Sequence, residues 1–128
     1  MYHFTALVTL LSILFYFFTS IQVSKARVAF GIKAPTISGN PDFERYNRVH
    51  VNTLEALIVF LPAVWIFSLS VNYHIGVLLG LLFVIARIVY AAGYISAASK
   101  RSTGAMATGI INVILVVGGL IALTIKAL

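Results

Sequence analysis

Cysteine is absent from this chain of 128 residues, which excludes disulfides, thiolate metal ligands and a cysteine nucleophile. Acid is nearly absent too: Asp42, Glu44 and Glu55 are the whole supply, against nine lysines and arginines. That scarcity rules out catalysis by paired carboxylates. His3, His50 and His74 lie far apart with no ligand-like spacing, so no metal site is expected. No nucleophile elbow and no phosphate-binding loop occur.

What remains is overwhelmingly apolar. Hydrophobic residues make up 61% of the chain and charged ones 9%, with a mean hydropathy of +1.05, the range of multispanning membrane proteins rather than soluble domains. Four stretches are long enough to cross a hydrocarbon core that needs about 20 residues: Tyr2 to Ser24, Val49 to Ser70, His74 to Ala98 and Thr103 to Ile125. They consume nearly the whole chain, so residues 1–128 read as one four-span, all-α transmembrane domain. The first stretch has no basic residue before it and no small-residue cleavage site after it, and reads as a retained helix rather than a signal peptide.

The net charge of +6 would suggest nucleic acid in a soluble protein. Here the basic residues sit at the ends of apolar spans, where anionic headgroups and the positive-inside rule account for them, and no nucleic-acid partner is expected. Lys25, Arg27, Lys33, Arg45 and Arg48 cluster between the first two spans, and Lys100 and Arg101 lie between the last two. Both basic links are therefore placed in the cytoplasm and both termini on the opposite side. A bacterial inner membrane and the endoplasmic reticulum fit equally.

The link from Lys25 to Arg45 carries Gly31, Pro35, Gly39 and Pro41 and reads as an ordered, irregular loop over the membrane surface. The links near Val71–His74 and Lys100–Gly104 are short enough to make antiparallel hairpins. Gly76 with Gly80, and Gly118 with Ala122, offer small residues for close helix packing. Pro62 should kink the second span or leave a carbonyl free.

Two polar stripes stand out against this background. Arg45, Arg48, Asn52 and Glu55 are spaced i, i+3, i+7 and i+10, one face of a helix entering lipid. Arg87, Tyr90, Tyr94 and Arg101 follow at i, i+3, i+7 and i+14, and share a face if the third helix persists that far, a length of about 21 Å. An elongated anionic ligand fits such a stripe. The plain structural alternative is an interhelical ion pair between Arg87 and Glu55, with Tyr90 and Tyr94 as interfacial belt residues and Arg101 as a positive-inside marker.

The motifs Ala26-Arg27 with Ala29-Phe30, Phe43-Glu44-Arg45, Arg48-Val49-His50-Val51-Asn52-Thr53-Leu54-Glu55, and Ala86-Arg87-Ile88-Val89-Tyr90 with Gly93-Tyr94 and Arg101 resemble the membrane-associated proteins in eicosanoid and glutathione metabolism, the MAPEG family. The resemblance spans most of the chain. It implies a four-helix subunit in a homotrimer, with glutathione bound between subunits near the cytoplasmic face as co-substrate and no metal. It assigns Arg27, Arg48, His50, Asn52, Glu55, Arg87, Tyr90 and Tyr94 to glutathione and Arg101 to stabilising its thiolate.

The activity implied is conjugation of glutathione to lipophilic electrophiles, a detoxifying transferase with peroxidase activity as an extension. Val28, Ala56 and Ala92 stand where the leukotriene-forming members have arginine, tyrosine and glutamine, which points away from a dedicated leukotriene synthase. Two alternatives stand beside this: a non-catalytic lipid-binding scaffold of the same fold, and a small multidrug exporter. Such exporters resemble one another in a glutamate within the first helix, and no charged residue occurs from Met1 to Ser24.

Overall fold

The computed structural model describes residues 1–128 and contains four long helices: α1 (His3–Phe30), α2 (Pro41–Ser70), α3 (Tyr73–Ser96) and α4 (Ser102–Ala127). All four are long and apolar enough to cross a membrane. They form an antiparallel bundle in which α2 and α3 each pack on every other helix, while α1 and α4 flank them. Only 28 of the 128 residues are buried, so most apolar side chains face outward, as lipid allows and water would not.

The core runs between α2 and α3. Phe60, Val64 and Phe67 repeat at i, i+4 and i+7 on α2, and Phe60 stacks on Phe83 of α3 with ring centroids 3.8 Å apart. Val8 from α1 and Ile111 and Leu115 from α4 close the cluster. On α1 the inward face is small and hydroxylic: Thr5, Val8, Ser12, Thr19, Val23 and Ala26. Ser12 and Thr19 donate to carbonyls of their own helix, at 2.7 and 2.6 Å, so their burial leaves no proton unpaired.

The first link departs from expectation. Helix α1 runs on to Phe30 and α2 begins at Pro41, so Lys25, Arg27, Asp42 and Arg45 are helical and only residues 31–40 are irregular. Gly31, at φ +68°, ends α1 with its N–H on the Arg27 carbonyl. Asn40 caps α2, its side chain accepting from Asp42 N at 2.9 Å and Phe43 N at 3.0 Å, with Pro41 in the first turn. Pro62 lies inside α2, which continues through it and forgoes one backbone donor there.

Glycines set the helix spacing where the sequence suggested it and in one place where it did not. Gly76 lies against Ser68 and Gly80 against Val8, while Gly118 touches Phe67. Gly104 packs directly on the backbone of Tyr90, a close approach of α4 to α3. At the far end Lys126 donates to the Ser70 carbonyl at 2.7 Å, a cation on the negative end of α2.

A side chain at Gly104 would meet backbone rather than a yielding side chain, whereas Gly109 faces open space. Gly104→Leu is therefore expected to destabilise the bundle by about 1–3 kcal/mol. Gly109→Ala should be neutral or stabilising by up to about 1 kcal/mol. Thermal unfolding of the two variants in detergent checks the contrast.

Candidate functional site

The centre of the polar region is Arg87 on α3, which is 1% exposed. Nη2 donates to Asn52 Oδ1 at 3.0 Å and Thr53 Oγ1 at 2.9 Å on α2, and Nη1 donates to Thr108 Oγ1 on α4 at 3.4 Å. The guanidinium carbon also lies 4.3 Å from the centroid of the Tyr90 ring. Each threonine is oriented to accept because its own proton is committed: Thr53 donates to the Val49 carbonyl at 2.7 Å and Thr108 to the Gly104 carbonyl at 2.8 Å. One arginine thus ties three helices together.

The ion pair between Arg87 and Glu55 is not formed. Asn52 stands between them, its amide oxygen on Arg87 and its Nδ2 donating to Glu55 Oε2 at 3.3 Å. Glu55 Oε1 lies 4.0 Å from Arg48 Nη1 across two helical turns, with both side chains more than half exposed. The arrangement is a string, Arg87–Asn52–Glu55–Arg48, running from a buried cation to an exposed pair on the outer face of α2. No carboxylate lies within ion-pairing distance of Arg87; the two ion pairs present are Arg48–Glu55 and Arg45–Asp42.

The second stripe is broken and then rebuilt. Helix α3 stops at Ser96, Ala97 is extended, and Ala98–Arg101 form a 3₁₀ turn, so Arg101 does not continue the helical face of Tyr94 as expected. The turn folds back instead. Arg101 lies over Tyr94 with its guanidinium carbon 5.7 Å from the ring centroid, and Tyr94 is 5.7 Å from Tyr90. Arg87, Tyr90, Tyr94 and Arg101 therefore form a relay of rings and guanidiniums, with Arg101 exposed at its end.

Two expected site residues lie elsewhere in the subunit. His50 turns toward α1, stacked on Tyr16 at 4.7 Å between centroids, with Nδ1 3.0 Å from Thr19 Oγ1. Because Thr19 donates to the Tyr16 carbonyl, its oxygen accepts, which puts the imidazole proton on Nδ1. His50 is two positions from both Arg48 and Asn52, about 200° around the helix, which sets it on the opposite side of α2. Arg27 donates to the carbonyls of Thr36 at 2.6 Å and Ile32 at 3.5 Å and covers Phe43 at 4.9 Å, holding its own loop.

Beside the relay, Ile85, Ala86 and Val89 of α3 and Gly104, Ala107 and Ile110 of α4 line an apolar groove of about 400 Å³. That volume suits a small lipophilic molecule.

Similarity to known proteins identifies the family. The family model for MAPEG matches residues 5–121. The chain belongs to the MAPEG family. It is 42% identical over 118 residues to an uncharacterized protein of Synechocystis sp., covering 92% of this chain and 86% of that one. It is 33% identical to human microsomal glutathione S-transferase 2, over 90% of this chain and 79% of the relative. It is 38% identical to mouse leukotriene C4 synthase, over 77% and 65% respectively. MAPEG membership bears out the resemblance carried by the Arg48–Glu55 and Arg87–Arg101 motifs.

Thr53 and Thr108 were not singled out in the sequence, where a lone hydroxyl in an apolar span looks neutral. Replacing either by the isosteric valine leaves a guanidinium proton unpaired, with an expected cost of about 1–3 kcal/mol, larger at Thr53 where the contact is shorter. Serine at these positions should restore most of it. Midpoints of thermal unfolding for Thr53→Val, Thr53→Ser and Thr108→Val supply the comparison.

Proposed function

We propose that this MAPEG member is an integral-membrane glutathione transferase that activates glutathione as its thiolate and joins it to lipophilic electrophiles. The observation that carries the reading is the string from Arg87 to Arg48. The buried Arg87 guanidinium has only neutral acceptors on Nη1 and Nη2 and none on Nε, and burying such a charge is costly unless an anion shares the site. Glutathione brings two carboxylates, an ammonium and a thiol. Arg48 and Arg87 suit the carboxylates, Glu55 the ammonium, and Asn52 and the Tyr90 and Tyr94 hydroxyls the amides.

In this reading Arg101, exposed and lying over the Tyr94 ring, stabilises the thiolate. The thiol proton passes to water, the sulfur lone pair forms the new C–S bond, and the displaced electrons leave with the electrophile's leaving group or stay on its adduct. A guanidinium near the sulfur favours the anion by about 1.36 kcal/mol for each unit by which the thiol pKa falls. The groove between α3 and α4 offers the electrophile an apolar berth. The same thiolate attacking a hydroperoxide would give peroxidase activity.

Exposed Arg48 and Glu55 lie well along α2, about 10 and 21 Å from its first residue by helical rise, and lipid is a poor neighbour for either. A homotrimer in which adjoining copies cover this face, with Arg27 contributed across the interface, satisfies both. The subunit is then one domain, its basic end cytoplasmic and its termini on the other side. A lipid-binding scaffold without chemistry is the second reading, favoured by the apolar groove alone.

Arg48→Ala is expected to weaken glutathione binding by about 1–3 kcal/mol in calorimetric titration, the scale of a charged hydrogen bond. Unchanged affinity in a well-folded protein would remove Arg48 from the site. Arg101→Ala should leave affinity nearly intact while abolishing thiolate absorbance and most turnover, and Arg101→Lys should recover only part. Equal turnover in wild type and Arg101→Ala would favour the scaffold. Mass measurement in detergent tests the trimer, and a stable, active monomer would contradict it.

A further inference from the structure

Helix α3 ends without a local reason. The segment Tyr94-Ile95-Ser96-Ala97-Ala98-Ser99-Lys100-Arg101 contains neither glycine nor proline, the residues that usually stop a helix, and alanine at 97 and 98 would continue it. Yet Ala97 is extended, at φ −164° and ψ 135°. The ladder closes at Gly93, and carbonyls after it must find donors elsewhere.

Gly93 O receives the Ala97 N–H at 3.0 Å and the Ser96 hydroxyl at 2.9 Å. Ile95 O, which in a continued helix would accept from Ser99 N, instead accepts from Nε of Arg45 on α2, at 3.2 Å. Arg45 is itself aimed by Asp42 one turn earlier, which takes its Nη2. The cation also sits at the negative end of the α3 dipole. Gly93 completes the arrangement, since the Lys100 carbonyl folds back onto it where a side chain would not fit.

The break matters because of where it puts Arg101. Seven residues of uninterrupted helix would carry it about 10 Å beyond Tyr94 along the axis. With the break the backbone instead folds back, the Lys100 carbonyl lying against Gly93, and the Arg101 guanidinium carbon is 5.7 Å from the Tyr94 ring centroid.

We propose that Arg45, oriented by Asp42, is a positioning residue: by occupying the Ile95 carbonyl it holds the end of α3 open and so fixes Arg101 over Tyr94, in register with the glutathione site on α2. The proposal rests on the reading of Arg101 as the thiolate-stabilising group. Arg45 does not touch substrate in this scheme. It links the helix that bears Arg48, Asn52 and Glu55 to the turn that bears Arg101, so that the two halves of the site keep one spacing.

The experiment compares full-length wild type, Arg45→Ala, Arg45→Lys and Asp42→Asn in nanodiscs, with glutathione and 1-chloro-2,4-dinitrobenzene. Three quantities are read: amide exchange over residues 93–101, glutathione Kd by calorimetry, and kcat with thiolate absorbance at saturating glutathione. In Arg45→Ala, exchange over 93–101 should quicken about tenfold, the loss expected for one charged hydrogen bond. Turnover and thiolate amplitude should fall about tenfold or more from misplacement of Arg101, with Kd changed less than about twofold.

Arg45→Lys, which keeps a donor and a charge, should recover part of both, and Asp42→Asn should give a smaller loss of the same kind. Unchanged exchange over 93–101, or unchanged turnover, overturns the proposal. So does a rise in Kd as large as the fall in turnover, which would make Arg45 a binding residue. Should Arg45→Ala not fold, Arg45→Lys and Asp42→Asn carry the same criteria. A wild type that neither binds glutathione nor forms thiolate defeats the transferase reading itself, and the functional half of this proposal with it, whatever the exchange data show.

Discussion

A charged guanidinium held inside a membrane bundle by neutral oxygens is the constraint around which the polar half of this protein is arranged. Arg87 needs acceptors from two neighbouring helices, so α2 and α4 must present Asn52, Thr53 and Thr108 at matching heights. Those heights in turn require α4 to approach α3 closely, which Gly104 permits by resting on the Tyr90 backbone. The threonines can accept only because their protons go to carbonyls four residues back. A charge that would be expensive alone becomes the point from which helix rotation, height and spacing follow.

The amide of Asn52 has a particular place in this scheme. With its oxygen committed to Arg87, its nitrogen must face Glu55, and the carboxylate is steadied without being neutralised. A direct ion pair would have cancelled both charges. Interposing an amide leaves Arg87 buried and Glu55 at the exposed face of α2, where Arg48 rather than Arg87 is its ion-pair partner.

Much of this was legible in the sequence. Four spans, antiparallel order, the polar face Arg48-Asn52-Glu55 and the small residues Gly76 and Gly80 all follow from periodicity and composition, and the family motifs were visible as such. Three things were not. Arg87 and Glu55 look complementary on paper because charge pairs by sign, whereas the structure pairs by reach, and Asn52 is nearer. Arg101 looked helical because the segment before it has neither glycine nor proline; α3 breaks where the Ile95 carbonyl accepts from Arg45, fifty residues away, a contact no local pattern shows. His50 sits inside the motif but faces α1, since a motif shows order along the chain and the helix distributes it over several faces. The start of α2 was hidden differently: Pro41 was counted with Gly31, Pro35 and Gly39 as a mark of irregular structure, whereas it occupies the first turn behind the Asn40 cap.

The hydroxyl-lined face of α1 bears on how the bundle comes together. Its Thr9, Ser12 and Thr19 donate to carbonyls within α1 itself, and none needs another helix to satisfy its proton. Thr5 is the exception on this face, its hydroxyl donating to Ser68 Oγ of α2 at 3.5 Å; the other three are satisfied within the segment itself. When α2 arrives, Trp65 adds an indole bond to the Thr9 oxygen at 2.9 Å, using a lone pair that was idle before. At Thr9, Ser12 and Thr19, packing of α2 on α1 therefore adds contacts without breaking any hydrogen bond the helix already has.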